Sequence, residues 1–204
     1  MRIVVAGAGG HAKVVIDAAR AAGHDIVAVL DERTDIAELL GATLVRSLDG
    51  VAAEGFVVAL GDNRARRERF AELTAAGLSA VPVVHPDAVI AESATIGAGS
   101  VVFAGVVVNP DAVIGDDAIL NTGCTVDHDC RIGDHAHIAP GVNLCGNVSV
   151  GEGALVGVGS CASPGARIGA WSIVGAGATV TDDVAADTVC VGTPARPIVR
   201  GHAR

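Results

Sequence analysis

The residues best equipped for chemistry are histidines, and one of them stands between two acids. His128 lies in the run VDHDC, with Asp127 before it and Asp129 after it. An imidazole titrates near neutrality, and a carboxylate bonded to one ring nitrogen fixes the tautomer and raises the basicity of the other. Such a group suits a general base that takes a proton from a nucleophile. His135 and His137 follow in HAHIAPG, and His11 lies in a glycine-rich turn, GAGGHA. Gly7 and Gly9 let the backbone of that turn approach a phosphate, and a helix beginning there favours an anion. Asp31 closes the next apolar run, where a dinucleotide fingerprint places its acid, although Ala12 stands in place of the third glycine. The five cysteines (Cys124, Cys130, Cys145, Cys161 and Cys190) are odd in number and form no CxxC pair. They read as reduced packing residues, Cys124 and Cys130 in particular, and not as a disulfide or metal framework.

These groups are carried by 204 residues, 50% of them apolar, with three Phe, one Trp and no Tyr. The core is therefore built from Val, Ile, Leu and Ala, in a geometry that small aliphatic side chains can fill. A formal charge of −9 speaks against a nucleic-acid backbone or an anionic membrane as the main partner. No apolar run approaches the roughly 18 residues of a membrane span. The N-terminus MRIVVAGAGG reads as a first strand and not as a signal peptide, which predicts a cytoplasmic protein.

Two periods divide the chain. Residues 1–80 alternate strand and helix signals: strands over 1–6, 26–30 and 56–60, and helices over 12–22 and 64–76. The first helix is expected to turn Val14, Val15, Ala18 and Ala19 inward. This pattern predicts a small parallel sheet of Rossmann-like α/β type. The charged run 64–69 reads as the solvated face of its helix, with help to a diphosphate as the lesser alternative. Over 81–204 the period becomes six. Every sixth position from Val84 to Val180 is aliphatic without a slip, and a small residue usually follows four later. Glycine recurs at 97, 115, 133, 151 and 169, a second period of 18. Hexapeptides of this kind build a triangular β-helix, three short strands to a coil, with the aliphatic residue on the axis. The glycine column implies one corner whose backbone most residues resist. The basic tail PARPIVRGHAR is expected to pack across the end of the helix or over a neighbour.

The chain resembles the left-handed β-helix acyltransferases, and within them the bacterial nucleotide-amino-sugar N-acetyltransferases of the PglD/NeuD type. The resemblance rests on GAGGHAKVV, LGDN at 60–63, NTGCTVDHDCRIGDHAHIAPG at 121–141, CGNV at 145–148 and the closing VGTPARPI. It implies a homotrimer, acetyl-CoA as donor in a cleft between adjacent helices, and a nucleotide-linked amino sugar on the N-terminal domain. His128 matches the general base, with Asp127 as its acidic partner and Asp129 as the fallback. Asn121 matches an active-site asparagine. His137 and Gly146 match the acetyl-CoA site, Gly146 with its N–H toward the thioester carbonyl. Gly157, Val158 and Ala176 match the pantetheine channel. Gly9, Gly10 and His11, Asp31 and Glu32, and Gly61 and Asn63 match the nucleotide-sugar site, His11 near the amino sugar or its phosphate. Glu32 departs from the family's second Asp. His135 has no match and reads as a surface histidine.

The implied activity is acetyl transfer from acetyl-CoA to the amine of a nucleotide-linked 4-amino-4,6-dideoxy sugar. Direct transfer is expected, since no cysteine beside His128 can be argued from sequence to point outward. O-acetylation of sialic acid or a related sugar hydroxyl is the alternative on the same frame. A trimeric metal protein of the γ-carbonic-anhydrase kind would use His128, His135 and His137 as ligands, but leaves the N-terminal half without a role. An NAD-dependent oxidoreductase would leave the β-helix idle.

Overall fold

The computed structural model describes residues 1–198, so residues 199–204 of the basic tail lie outside it. The N-terminal half contains β1 (Arg2–Ala6), α1 (Gly10–Ala21), β2 (Asp25–Leu30), β3 (Glu38–Leu39), β4 (Ala42–Val45), β5 (Gly55–Val58), α2 (Asn63–Ala75) and β6 (Ser79–Ala80). They form one sheet in the order β3-β4-β2-β1-β5-β6, parallel except for the β3–β4 hairpin, which the sequence reading lacked. β1 is buried on both sides, as the central strand of a parallel sheet must be. Ile3 and Val5 face α1, while Val4 and Ala6 face the side of Leu73 and Phe70 on α2. Within α1 the inward stripe is Ala12, Val15, Ile16, Ala18 and Ala19. Val14, expected inside, is 43% exposed because the helical period gives its slot to Ile16.

From Val83 onward the chain winds as a left-handed parallel β-helix of two-residue strands. Each strand pairs with the one 18 residues later, as Val101–Val102 pairs with Ile119–Leu120. The first face runs from Val83–Val84 to Val189–Val191 and ends in the antiparallel Arg196–Pro197. The second face runs from Val89–Ile90 to Thr179–Val180, and the third from Thr95–Ile96 to Arg167–Ile168. The six-residue ladder is the core. Val102, Val108, Ile114, Leu120, Val126, Ile132, Ile138 and their successors are buried, with Ala118, Cys124, Cys130 and Ala136 in the small slots between.

The corner geometry corrects one expectation. Gly97, Gly115, Gly133, Gly151 and Gly169 have no left-handed φ; a Cβ on Gly97 would lie 2.3 Å from the backbone of Gly115 in the next coil. They are glycine because successive coils touch there. The left-handed residue comes instead three positions after the axial aliphatic residue, at every corner from Gly99 to Gly177. Along one edge this column reads Gly99, Asp117, His135, Gly153 and Trp171, all with φ between +50° and +70°. Gly, Asp and His are types that accept this conformation; Trp171 is the exception.

The two halves share a core. Val83, Val101, Phe103 and Ile119 of the first face pack against α1 and the sheet. α2 lies along the column just described. Phe70 covers Gly99, Arg66 meets Asp117 and His135, Asn63 reaches Gly153, and Arg64 and Arg67 lie over the Trp171 ring at 4.5 and 5.2 Å. A helical turn of about 5.4 Å nearly matches the coil spacing of about 4.8 Å, so helix and column stay in step. In the run 64–69, Arg64, Ala65, Arg67 and Glu68 are exposed as expected, and Arg66 is the buried exception.

Candidate functional site

The β-helix presents its chemistry on two separate edges. His128 follows the second-face strand Thr125–Val126 and precedes the third-face strand Arg131–Ile132, so it stands at the corner between those faces. Its ring is 55% exposed, and Nδ1 lies 2.8 Å from Asp129 Oδ2. A carboxylate accepts, so Nδ1 carries the hydrogen and Nε2 keeps the free lone pair. The bond to Asp129 pushes the His128 pKa above its ordinary value. Asp127, expected as the partner, does not take that role. Its Oδ1 accepts from the His128 backbone N–H at 2.7 Å and from Asn109 Nδ2 at 2.9 Å, which holds its pKa low. The one-residue side chain caps its own corner, and the acid after the histidine reaches the ring.

Gly146 lies one coil beyond His128. A Cβ there would come within 2.5 Å of His128 Nε2 and Cε1, so the missing side chain is the space the imidazole occupies. Within the described residues the Gly146 N–H donates no hydrogen bond. It is therefore available beside the base. Cys145, the preceding residue, is exposed, contrary to the expectation that no cysteine near His128 faces outward. Cys130 is buried with its Sγ donating to Cys145 O, and burial pushes the Cys124 thiol up to about 12.

The second edge lies at the first face, under the N-terminal half. His137 extends from the strand His137–Ile138, and Asn121 follows Ile119–Leu120 at the next corner. Asn121 Oδ1 accepts from Thr122 N, so its Nδ2 donates to His137 Nε2 at 3.1 Å. His137 must then carry its hydrogen on Nδ1. That nitrogen, like Nε2 of His11, is buried without a partner among the described residues. His11 stands in the first turn of α1, 6.2 Å from the His137 ring and edge-on to Phe103. Burial, reinforced by the Arg66 charge, pushes His11 down to about 4 and His137 to about 3. Both are neutral donors and acceptors at physiological pH.

Arg66 is the buried cation of this seam. Its Nε donates to Asp117 O and faces Asp117 Oδ2 at 3.2 Å, and its Nη1 donates to Leu60 O and to Asn63 Oδ1. Its Nη2 donates to His135 O. His135 is not a surface residue. Its side chain is 13% exposed, and Nδ1 donates to Asp117 at 2.8 Å. His128, His135 and His137 thus have three different surroundings and do not converge as metal ligands would.

The nucleotide-type residues line a third feature. Gly7, Leu30, Asp31, Glu32, Leu60 and Arg69 surround a cleft of about 240 Å³. Asp31 is partly committed inside the protein, with Oδ2 accepting from Ala8 N and Oδ1 from Arg33 N. In LGDN, Asp62 caps α2 through Arg64 N and Ala65 N, and Asn63 gives Nδ2 to Gly153 O and Ala154 O. Gly9 ends β-like before α1 with no side-chain cap, which leaves the helix N-terminus of Gly10 and His11 open to an anion. Gly157, Val158 and Ala176 lie after the first-face strands Leu155–Val156 and Ile173–Val174, on the Asn121 edge; Val158 is 55% exposed. Sequence reasoning missed Asp129 as first choice, Arg66, Asp117 and Arg69.

Residues 2–73 match the PglD N-terminal domain, and residues 111–146 match the bacterial transferase hexapeptide (six repeats). PerB from Caulobacter crescentus, solved with CoA and GDP-perosamine, is 41% identical, with 98% of each chain covered and a TM-score of 0.92. The acetyltransferase domain of PglB from Neisseria gonorrhoeae, solved with acetyl coenzyme A, is 37% identical over 97% of this chain and 98% of that one, TM-score 0.91. WeeI from Acinetobacter baumannii is 28% identical over 97% and 100%, TM-score 0.87. Among curated protein sequences none matches. Among the described residues no helix is long and apolar enough to cross a membrane. The chain belongs to the PglD-type hexapeptide-repeat acetyltransferases, enzymes that use acetyl-CoA.

Proposed function

We propose that this enzyme acetylates the amine of a nucleotide-linked 4-amino-4,6-dideoxy sugar directly from acetyl-CoA. The observation that carries the mechanism is the pairing of His128 with Asp129 above the bare backbone of Gly146. The amine nitrogen bonds to the thioester carbonyl carbon, and the Gly146 N–H stabilises the oxyanion that forms. His128 Nε2 takes the amine proton, the carbon–sulfur bond breaks, and the proton passes to the departing CoA thiolate. Asp129 orients the ring and stabilises its charged form. The exposed Cys145 thiol is a bystander, so Cys145→Ser keeps turnover without a burst of acylated enzyme.

The active unit is a homotrimer. Within one chain the second face separates His128 and Gly146 from Asn121, His137 and the nucleotide cleft. A second copy set edge to edge brings the two halves together, and three copies close the ring. Mixing inactive His128→Ala protomers with inactive Asn121→Ala protomers then restores activity in mixed trimers. No restoration contradicts a shared site.

Between nucleotides, the cleft favours guanine. Glu32 offers a carboxylate to the N1–H and N2–H donors of guanine, and Arg69 offers donors to O6 and N7. The likeness to PerB, solved with GDP-perosamine, supports the same choice. CoA release is measured with acetyl-CoA against GDP- and UDP-linked 4-amino-4,6-dideoxy sugars and free and CMP-linked sialic acid. Turnover with a GDP-linked amino sugar is expected; turnover only with sialic acid moves the enzyme to O-acetylation. The protein is expected to work in the cytoplasm.

A further inference from the structure

We propose that Arg66 is a positioning residue that sets the height of the nucleotide-sugar loop, residues 60–63, against the β-helix coil carrying His137. The inference rests on the reading above that this loop faces the nucleotide sugar. A single guanidinium, 1% exposed, holds both sides of the seam. On the loop side it bonds Leu60 O and Asn63 Oδ1, and on the β-helix side it bonds Asp117 O and His135 O. His135 is two residues before His137, so one planar fork ties the loop to the strand that presents the buried imidazole. Asn63, held by that fork, extends the tie one coil further to Gly153 O and Ala154 O.

The polarity of this contact is the reason to assign it more than a packing role. A buried ion pair is often replaceable by apolar groups without loss of stability, because desolvation offsets the attraction. What apolar groups do not supply is direction. The fork has five N–H donors in one plane, and it accepts only one relation between loop and coil. Leu73 and Phe70 anchor the later part of α2 in the sheet core, but that apolar packing does not fix the loop at its start. The directional contact of Arg66 does, and without it residues 60–63 are free to shift along the β-helix axis.

Two variants test this. Arg66→Lys keeps the cation and loses the fork. Arg66→Met/Asp117→Asn removes both buried charges but leaves Leu60 O, Asn63 Oδ1, Asp117 O and His135 O without their donor, so it is expected to fold with a lowered melting temperature. In both, KM for the nucleotide sugar rises about tenfold, while KM for acetyl-CoA stays within about twofold. The double variant is decisive: a folded protein with a lowered melting temperature but a wild-type KM for the sugar would show that Arg66 only holds the fold. Equal rises in both KM values would also overturn the assignment. If the wild-type enzyme turns over no sugar in the panel, the reading of the substrate fails, and calorimetry with GDP, UDP and CoA reads the positioning separately. A nucleotide Kd about tenfold weaker in both variants with CoA unaffected supports it; an unchanged nucleotide Kd, or no nucleotide binding by the wild type, overturns it.

Discussion

His128 on one edge and His137 with His11 in the seam are the same side chain in opposite surroundings. His128 is open to water and bonded to a carboxylate, so its charged form is favoured. His137 and His11 are enclosed beside a buried arginine, so their charged forms are excluded down to about pH 3 and 4. The difference assigns roles before any ligand is considered. A base must be able to hold a proton it has taken, and only His128 can do so near neutrality. The seam histidines serve as fixed donors and acceptors. One region is built to react and the other to be rigid.

Substitutions that break this comparison should separate activity from stability. His128→Ala is expected to lower kcat by about 10²–10⁴ and leave the melting temperature nearly unchanged, since the ring is 55% exposed and rests only on the surface of the next coil. In the seam the effect reverses. Arg66→Ala leaves Asp117 buried beside an empty space and should cost about 3–5 kcal/mol, read by denaturant unfolding. Gly146→Ala sharpens the contrast on the reactive edge. Its Cβ would need the space of the His128 ring, so kcat falls by about tenfold or more with stability nearly unaltered.

Smaller effects come from the two acids. Asp129→Asn removes the partner that raises the His128 pKa, so the rising limb of kcat/KM against pH moves down toward 6.5. The plateau should fall by about tenfold as the base weakens. Asp127→Asn keeps the backbone bond that caps the corner, and its rate should stay within about threefold of wild type. On the seam side, His11 and His137 are neutral when folded and bind protons near pH 6.5 when unfolded. The unfolded state therefore binds more protons as pH falls from 6.5 toward 4, and stability drops over that window. His11→Gln should flatten the fall in melting temperature between those pH values; an unchanged slope would remove His11 from the account.

The β-helix was legible in the sequence because its rule is local: one aliphatic residue every six, repeated for most of the chain. The small parallel sheet was legible for a similar reason, through apolar runs broken by turns. What escaped were contacts made across long separations. Arg66 looks like one cation among several until Asp117 and His135, 51 and 69 residues away, arrive beside it. Val14 and Ile16 differ only in where a helix turns. The glycine column was visible, but its cause was not, because close approach between coils and a left-handed corner both select glycine. Asp127 and Asp129 flank His128 equally in sequence, and only the backbone at the corner decides which carboxylate reaches the ring.

The most direct test of this division is a histidine NMR titration of the wild-type protein from pH 8 to pH 5, with His128→Ala, His11→Gln and His137→Asn to assign the resonances. The account predicts that His128 titrates above 6.5 and that His11 and His137 remain neutral throughout. A His128 midpoint below 6.5, or a seam histidine that charges in this range, would contradict it.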